Sequence, residues 1–471
     1  MSSSAERPLV SNQKDAHLFI LLHGLWGNYK HMESLKETLK NSIQDDTDRL
    51  PLVFFSPRQN AMFKTFDGVE VVGYRALIEI IQFIQLHPEF KFTKLSILGY
   101  SMGGLIARFL IGVMFDKNND EDEMKVFKGM EPQLFITFAT PHLGIHFYNP
   151  LNNMLRTFLN PMLTLIGSNI IGVSGREMFI MRNTELVELS SGKYLDALSK
   201  FKWRIVFANV KNDRTVAFYT SFITDCDPFI DTGNDIKYNF EENIPGENYT
   251  NILPRIVDLE RLDKSVNAPL RQQEKVVKHT VSMVSFLILA SILVFPLALI
   301  LNICGTIYSY AATCRYRKLI SQGKISGVIK EKLASNESSR MRDDLKDYVS
   351  DVYGSVFEDS IQNATDNDIN ASKMDSSVEN DSSWNDFIDK YSNIGQGHWK
   401  QNFHKLPFDN HRETILRNLS SLSWIRVPMY IKAVNAHGSL VARRGLDEST
   451  PKTSLACLEF AGQLLNYLLD H

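Results

Sequence analysis

Apolar positions in the first half of the chain alternate between two patterns. Leu18–Leu22, Leu52–Phe55, Lys94–Leu98, Leu134–Phe138 and Trp203–Ala208 are short apolar runs of strand length. Between them lie stretches with apolar residues at helical spacing: Tyr29–Lys40, Val69–Leu86 and Gly103–Phe115. Far along the chain, Met429–Val434 reads as a sixth strand and Ser454–Leu469 as a last amphipathic helix. Strands alternating with helices predict an α/β fold with a mainly parallel central sheet, covered by helices on both faces.

Three stretches interrupt this pattern. His146–Asn183 is apolar and punctuated by Pro150, Pro161, Gly167 and Gly172. His279–Cys314 is a run of 36 residues without Asp, Glu, Lys or Arg. Asn336–Lys390 holds 14 acidic and 5 basic residues and reads as a disordered loop with one helix near Asp343–Phe357. The expected organisation is a flexible N-terminus (1–16) and an α/β core (17–278) with a lid-like insertion at 146–183. A hydrophobic membrane hairpin (279–314), a largely disordered acidic insert (315–397) and a second part of the core (398–471) follow.

Charge and cysteine usage narrow the class. With 51 basic and 54 acidic residues the net charge is −3, which argues against a general nucleic-acid binder. Cys226, Cys304, Cys314 and Cys457 are scattered without a CxxC pair, so neither a disulfide framework nor a zinc knuckle is expected. The polar first residues lack the apolar core of a secretory signal, which points to a cytosol-facing protein.

The candidate chemistry begins at Gly99-Tyr100-Ser101-Met102-Gly103. It follows the strand KLSIL and precedes a helix, the context of a nucleophile elbow. The helix N-terminus behind Ser101 favours developing negative charge. His23-Gly24-Leu25 ends the first strand, where such folds take an oxyanion donor, so the backbone N–H groups of Leu25 and Met102 are the expected pair. The His23 side chain is expected to orient the loop rather than react. An acid should follow on a loop after a later strand. Asp213 in WRIVFANVKNDRTV fits, with Asp225, Asp227 and Asp231 as competitors. A base should come last, and MYIKAVNAHGSLVARR supplies His437; His398, His404 and His411 lack a preceding strand. The order Ser, Asp, His is that of the α/β-hydrolases. His142, in Thr140-Pro141-His142-Leu143-Gly144, is expected to be structural. Phosphate-cradling, Rossmann and zinc-catalysis motifs are absent from the sequence, so no cofactor or metal is implied.

The uncharged run bears on topology. Val281–Ile303 would span roughly 34 Å as a helix, enough to cross a bilayer. A single crossing would put Ser101 and Asp213 on one side and His437 on the other, where they could form no site. A hairpin bent at Pro296 avoids this. Lys275, Lys278, Arg315, Arg317 and Lys318 flank it, so both ends are expected on the cytosolic side. The lid-like insertion carries Phe158 and Leu159 among other large apolar residues, as an interfacial lid or an ordinary cap would.

The strings HLFILLHGLWGNYKHMESL, AMFKTFDGVE, LGYSMGGLIAR, QLFITFATPHLG and KWRIVFANVKNDRTVAFYTSFITDCDPF resemble the fungal serine esterase/lipase family, and within it the lipid-droplet phospholipases of budding yeasts. The resemblance covers roughly residues 17–265, the apolar segment and the end from about 425. It carries the family's nucleophile to Ser101, its HG loop to His23-Gly24, its acid to Asp213 and its base to His437. Tyr100 departs from the histidine that many lipases place before the serine, and is expected to point away from Oγ. The resemblance implies hydrolysis of glycerophospholipid acyl esters at the cytosolic surface of lipid droplets and of the endoplasmic reticulum. The residues alone support an ester hydrolase near a membrane. A neutral lipase or an acyltransferase on the same triad, and an inactive lipid-surface scaffold, are the alternatives.

Overall fold

The computed structural model of the protein describes residues 13–43, 49–117, 122–146, 171–181, 184–211, 215–230, 236–247, 252–264, 383–433 and 435–471. It also describes Tyr148, Thr164, Ser168, Asp213 and Tyr249, and seven single positions between 303 and 318. The expected helix at 343–357, Phe158, Leu159 and Asp231 lie outside the described residues, as do most of the expected hairpin and of the acidic insert. Among the described residues no helix is long and apolar enough to cross a membrane.

Six parallel strands form the sheet. They are β1 (Lys14–Leu22), β2 (Leu52–Phe55), β3 (Phe90–Tyr100), β4 (Glu131–Phe138), β5 (Trp203–Asn209) and, after a two-stranded ribbon of β6 (Ile236–Lys237) and β7 (Asp263–Lys264), β8 (Ile425–Met429). Their order is β2-β1-β3-β4-β5-β8. Successive side chains point to opposite faces, and both faces are apolar. In β1, Phe19 and Leu21 join one core, while Leu18, Ile20 and Leu22 join the other. The first core is closed by α1 (Glu33–Ser42) and the last helix (Lys452–Asp470), the second by α2 (Val69–Leu86) and α3 (Met102–Met114).

Three expected boundaries are corrected. The sixth strand is Ile425–Met429, not Met429–Val434. Pro428 lies within it, opposite Ala208 of β5. On an edge strand the missing N–H leaves no sheet hydrogen bond unmade, and the outer edge is covered: Val257 N–H donates to the Pro428 carbonyl at 2.9 Å. Lys14–Ala16, assigned to the flexible N-terminus, already belong to β1. Residues 384–397, assigned to the acidic insert, belong to the folded core. The helix Trp384–Asn393 buries Phe387, Ile388 and Tyr391 against the sheet.

This topology locates a site. The chain passes from β1 to β2 on one side and then to β3 on the other, so β1 and β3 flank the point where the strand order reverses. Open parallel sheets bind ligands beyond the carboxyl ends of the strands at such a point. His23-Gly24-Leu25 follows β1, and Ser101 follows β3.

Candidate active site

β3 runs directly into the elbow. Ser101 sits at φ 55° and ψ −128°, a left-handed conformation that costs a non-glycine residue about 1–3 kcal/mol. Neighbouring groups hold it there. Its N–H donates to the Phe138 carbonyl at 2.8 Å, and its carbonyl accepts from the Thr140 hydroxyl at 2.8 Å. The flanking glycines permit the close approach. A Cβ on Gly99 would lie 2.3 Å from the Gly104 nitrogen, and one on Gly103 would lie 2.1 Å from the Leu22 carbonyl oxygen.

Ser101, His437 and Asp213 meet beyond the sheet. His437 lies in the short helix Ala436–Ser439, and its Nε2 is 3.0 Å from Ser101 Oγ. Its Nδ1 is 2.8 Å from Asp213 Oδ2. With a proton on Nδ1 and none on Nε2, this geometry lets the ring donate to Asp213 and accept from the Ser101 hydroxyl. Asp213 Oδ1 is occupied by the N–H groups of Thr215 at 3.0 Å and Val216 at 2.8 Å, which leaves Oδ2 turned to the imidazole.

The competitors are placed elsewhere. Asp225 pairs with Lys400 at 2.9 Å and Lys405 at 3.0 Å. Asp227 is buried and accepts the N–H groups of Tyr219 and Phe229. His398, His404 and His411 are exposed. His142 is fully buried, with Nε2 3.0 Å from the Thr137 hydroxyl, and burial holds it well below the usual histidine range.

The oxyanion loop lies against the serine. A Cβ on Gly24 would be 2.6 Å from Ser101 Cβ and 3.1 Å from Oγ. Leu25 follows this contact. Met102 opens α3, where the first N–H groups have no partner within the helix. His23 is buried, its Nδ1 is 3.0 Å from the Gly24 carbonyl, and burial lowers it to about 4. The ring is therefore neutral, and it orients the loop.

Residues 12–228 match the family described as "Putative serine esterase (DUF676)". That stretch, somewhat less than half of the chain, is what is similar to the family. "Putative lipase ROG1" of Saccharomyces cerevisiae is 32% identical over 223 residues, 45% of this chain and 29% of that protein. "Putative lipase C4A8.10" of Schizosaccharomyces pombe is 27% identical over 223 residues, 45% of this chain and 26% of that protein. The chain therefore spans under a third of the length of these relatives. Among solved structures, "Phospholipase PlaB from Legionella pneumophila in complex with thio-NAD" matches 44% of this chain and 41% of its own, at 16% identity and a TM-score of 0.25. The family match takes in the elbow at Ser101 and the loop of Asp213, and ends before His437.

Sequence reasoning missed the role of two supporting residues. The Tyr100 ring lies 5.1 Å from the His437 ring, and its hydroxyl donates to the His437 carbonyl at 3.2 Å. It braces the imidazole. Asn209, at the end of β5, accepts the Ile431 N–H at 3.2 Å and donates to the Lys211 carbonyl. It ties the start of the Asp213 loop to the strand end that leads to His437. The sequence marks Tyr100 only as a departure from the usual histidine and does not mark Asn209, because each acts on a segment more than 200 residues away.

Proposed function

We propose that the protein is a serine hydrolase that cleaves acyl esters of glycerophospholipids at a lipid surface, with Ser101 as nucleophile, His437 as base and Asp213 as its orienting acid. The observation that carries this reading is the continuous relay from Ser101 Oγ to His437 Nε2 at 3.0 Å and from Nδ1 to Asp213 at 2.8 Å. Ser101 Oγ attacks the ester carbonyl as His437 Nε2 takes its proton. The N–H groups of Leu25 and Met102 stabilise the tetrahedral oxyanion, an effect of about 3–4 kcal/mol per donor in comparable sites. His437 then returns the proton to the departing lysophospholipid oxygen, and water releases the acyl group by the reverse sequence.

The lipid surface is proposed from the 36-residue uncharged run with its basic flanks, read as a hairpin that enters one leaflet of a droplet or reticulum membrane from the cytosol. The test is hydrolysis of phosphatidylcholine against triacylglycerol, both on droplets, by wild type and Ser101→Ala. Phospholipid-dominant activity lost in the variant is the expected result. Triacylglycerol-dominant, Ser101-dependent activity would make the protein a neutral lipase, and activity that survives the substitution would overturn Ser101 as nucleophile.

A further inference from the structure

The oxyanion loop is held from behind by a buried threonine. Thr65, in the short 3-10 helix Met62–Phe66, is fully buried. Its hydroxyl accepts the Trp26 N–H at 2.9 Å and donates to the Met62 carbonyl at 2.6 Å. Trp26 needs this support. It is a non-glycine residue at φ 56°, and its N–H belongs to the peptide that joins it to Leu25. The Thr65 bond therefore fixes the plane of that peptide and, with it, the setting of the Leu25 backbone. The ring of Trp26 is wedged edge-on against Phe63 at 4.6 Å, and Met62 N–H donates to the Gly27 carbonyl at 3.1 Å.

Thr65 is held in turn from the insertion between β4 and β5. The helix Gly172–Met178 lies at the end of that insertion. Its Ser174, fully buried, donates to the Thr65 carbonyl at 2.6 Å and accepts the Gly68 N–H at 2.9 Å. Three residues on, the buried Glu177 accepts the Val69 N–H at 2.7 Å, at the start of α2. Two side chains of one helix thus satisfy the backbone of the segment that holds Trp26. On the exposed side of the same helix, Arg176 lies over the Tyr310 ring at 4.8 Å, and Tyr310 belongs to the uncharged run.

We propose that Thr65 is a positioning residue for the oxyanion hole, and that through it the seat of the helix Gly172–Met178 sets the turnover at Ser101. The proposal rests on the serine-hydrolase reading above. Its physical basis is that buried hydrogen bonds fully satisfied at both ends permit one geometry, whereas removing one partner leaves the others unpaired and the loop free to move. A 1 Å error in an oxyanion donor costs far more in turnover than in substrate binding, because the donor acts on charge that forms in the transition state.

The test uses a soluble p-nitrophenyl ester and the full chain. Thr65→Val keeps the volume and removes both hydroxyl bonds. It is expected to lower kcat about 10- to 100-fold with KM changed by no more than about twofold. Thr65→Ser should retain wild-type kcat. Ser174→Ala should also lower kcat, and Thr65→Val/Ser174→Ala should be no slower than Thr65→Val, since both act through one route. A folded Thr65→Val that melts lower but turns over like wild type would reduce Thr65 to a packing residue and overturn the proposal. Where Thr65→Val does not fold, wild-type kcat in folded Ser174→Ala has the same force. Loss of the esterase reading has a different signature: the wild type would neither hydrolyse the ester nor react with a fluorophosphonate.

Discussion

Gly24→Ala isolates the contact between the proposed oxyanion loop and Ser101. Gly24 is not among the residues in the left-handed region, so steric overlap alone decides the effect. The added Cβ would lie 2.6 Å from Ser101 Cβ, 3.0 Å from the Tyr100 carbonyl oxygen and 3.1 Å from Ser101 Oγ. Carbon atoms pack comfortably at about 3.5–4.0 Å, so roughly 1 Å of separation must be found. Ser101 cannot easily supply it, because its N–H and carbonyl are bonded to Phe138 and Thr140. The loop moves instead and carries Leu25 away from the serine. A displacement of about 1 Å corresponds to a loss of roughly 100-fold in kcat, or about 2.7 kcal/mol. The same overlap destabilises the fold by about 1–3 kcal/mol, less than the total stability of an ordinary domain. Turnover of a soluble p-nitrophenyl ester, beside thermal melting, checks both parts. Gly24→Ala with kcat within threefold of wild type would show that the loop does not depend on this contact, and the assignment of Leu25 as a donor would fall with it.

Two further predictions separate chemistry from support. Asp213→Asn keeps the shape but reverses the hydrogen-bond polarity at His437 Nδ1, and kcat should fall about 10⁴-fold with little change in melting temperature. Asp227→Asn should do the opposite, lowering stability while kcat stays near wild type; equal losses from both would leave the acid unassigned. The buried histidines predict a pH dependence of stability. Burial lowers His17 to about 3 and His23 to about 4, below the ordinary value of 6.5. Such groups bind protons more readily in the unfolded chain, so their stability contribution is complete above pH 6.5. It is lost as pH falls towards the folded values, by up to about 1.4 kcal/mol per pH unit for each group. Urea midpoints between pH 7 and pH 4 should show this slope, and His17→Gln should flatten it; an unchanged slope in that variant would exclude His17 as a source.

The layered core was readable because the strands other than the half-buried β2 are buried on both faces over most of their length, which writes apolar runs into the chain. Val69–Leu86 was found to the residue, since its apolar positions repeat at helical spacing between polar ones. The same reasoning failed where local composition and tertiary role disagree. Pro428 reads as a strand breaker, yet an edge strand tolerates it. Phe387, Ile388 and Tyr391 lie at helical spacing inside an acidic stretch, and the charge around them concealed a buried face. The candidate triad, with Asp213 preferred over Asp225 and Asp227, could be read from the order of strands and loops. All three follow β5, and the structure adds the partners of each: His437 for Asp213, lysines for Asp225 and backbone N–H groups for Asp227.

Backbone strain explains why so little of the support around Ser101 is visible in the sequence. Trp26, Met62, Ser101 and Ala139 all have positive φ, and none is glycine. They follow β1, β2, β3 and β4, four adjacent strands, at the carboxyl ends where the site lies. In each case the N–H is bonded to another segment: Trp26 to Thr65, Met62 to Gly27, Ser101 to Phe138 and Ala139 to Phe207. A left-handed residue that is not glycine persists only where its surroundings over-determine it. These loops are therefore locked to one another rather than shaped by their own sequences. A rim built this way resists the motion that would misplace an oxyanion donor, and its stiffness depends on cross-loop partners such as Thr65. Loosening any one of those partners should register first in kcat and only later in unfolding, because a local release of the rim leaves both layers of the core intact.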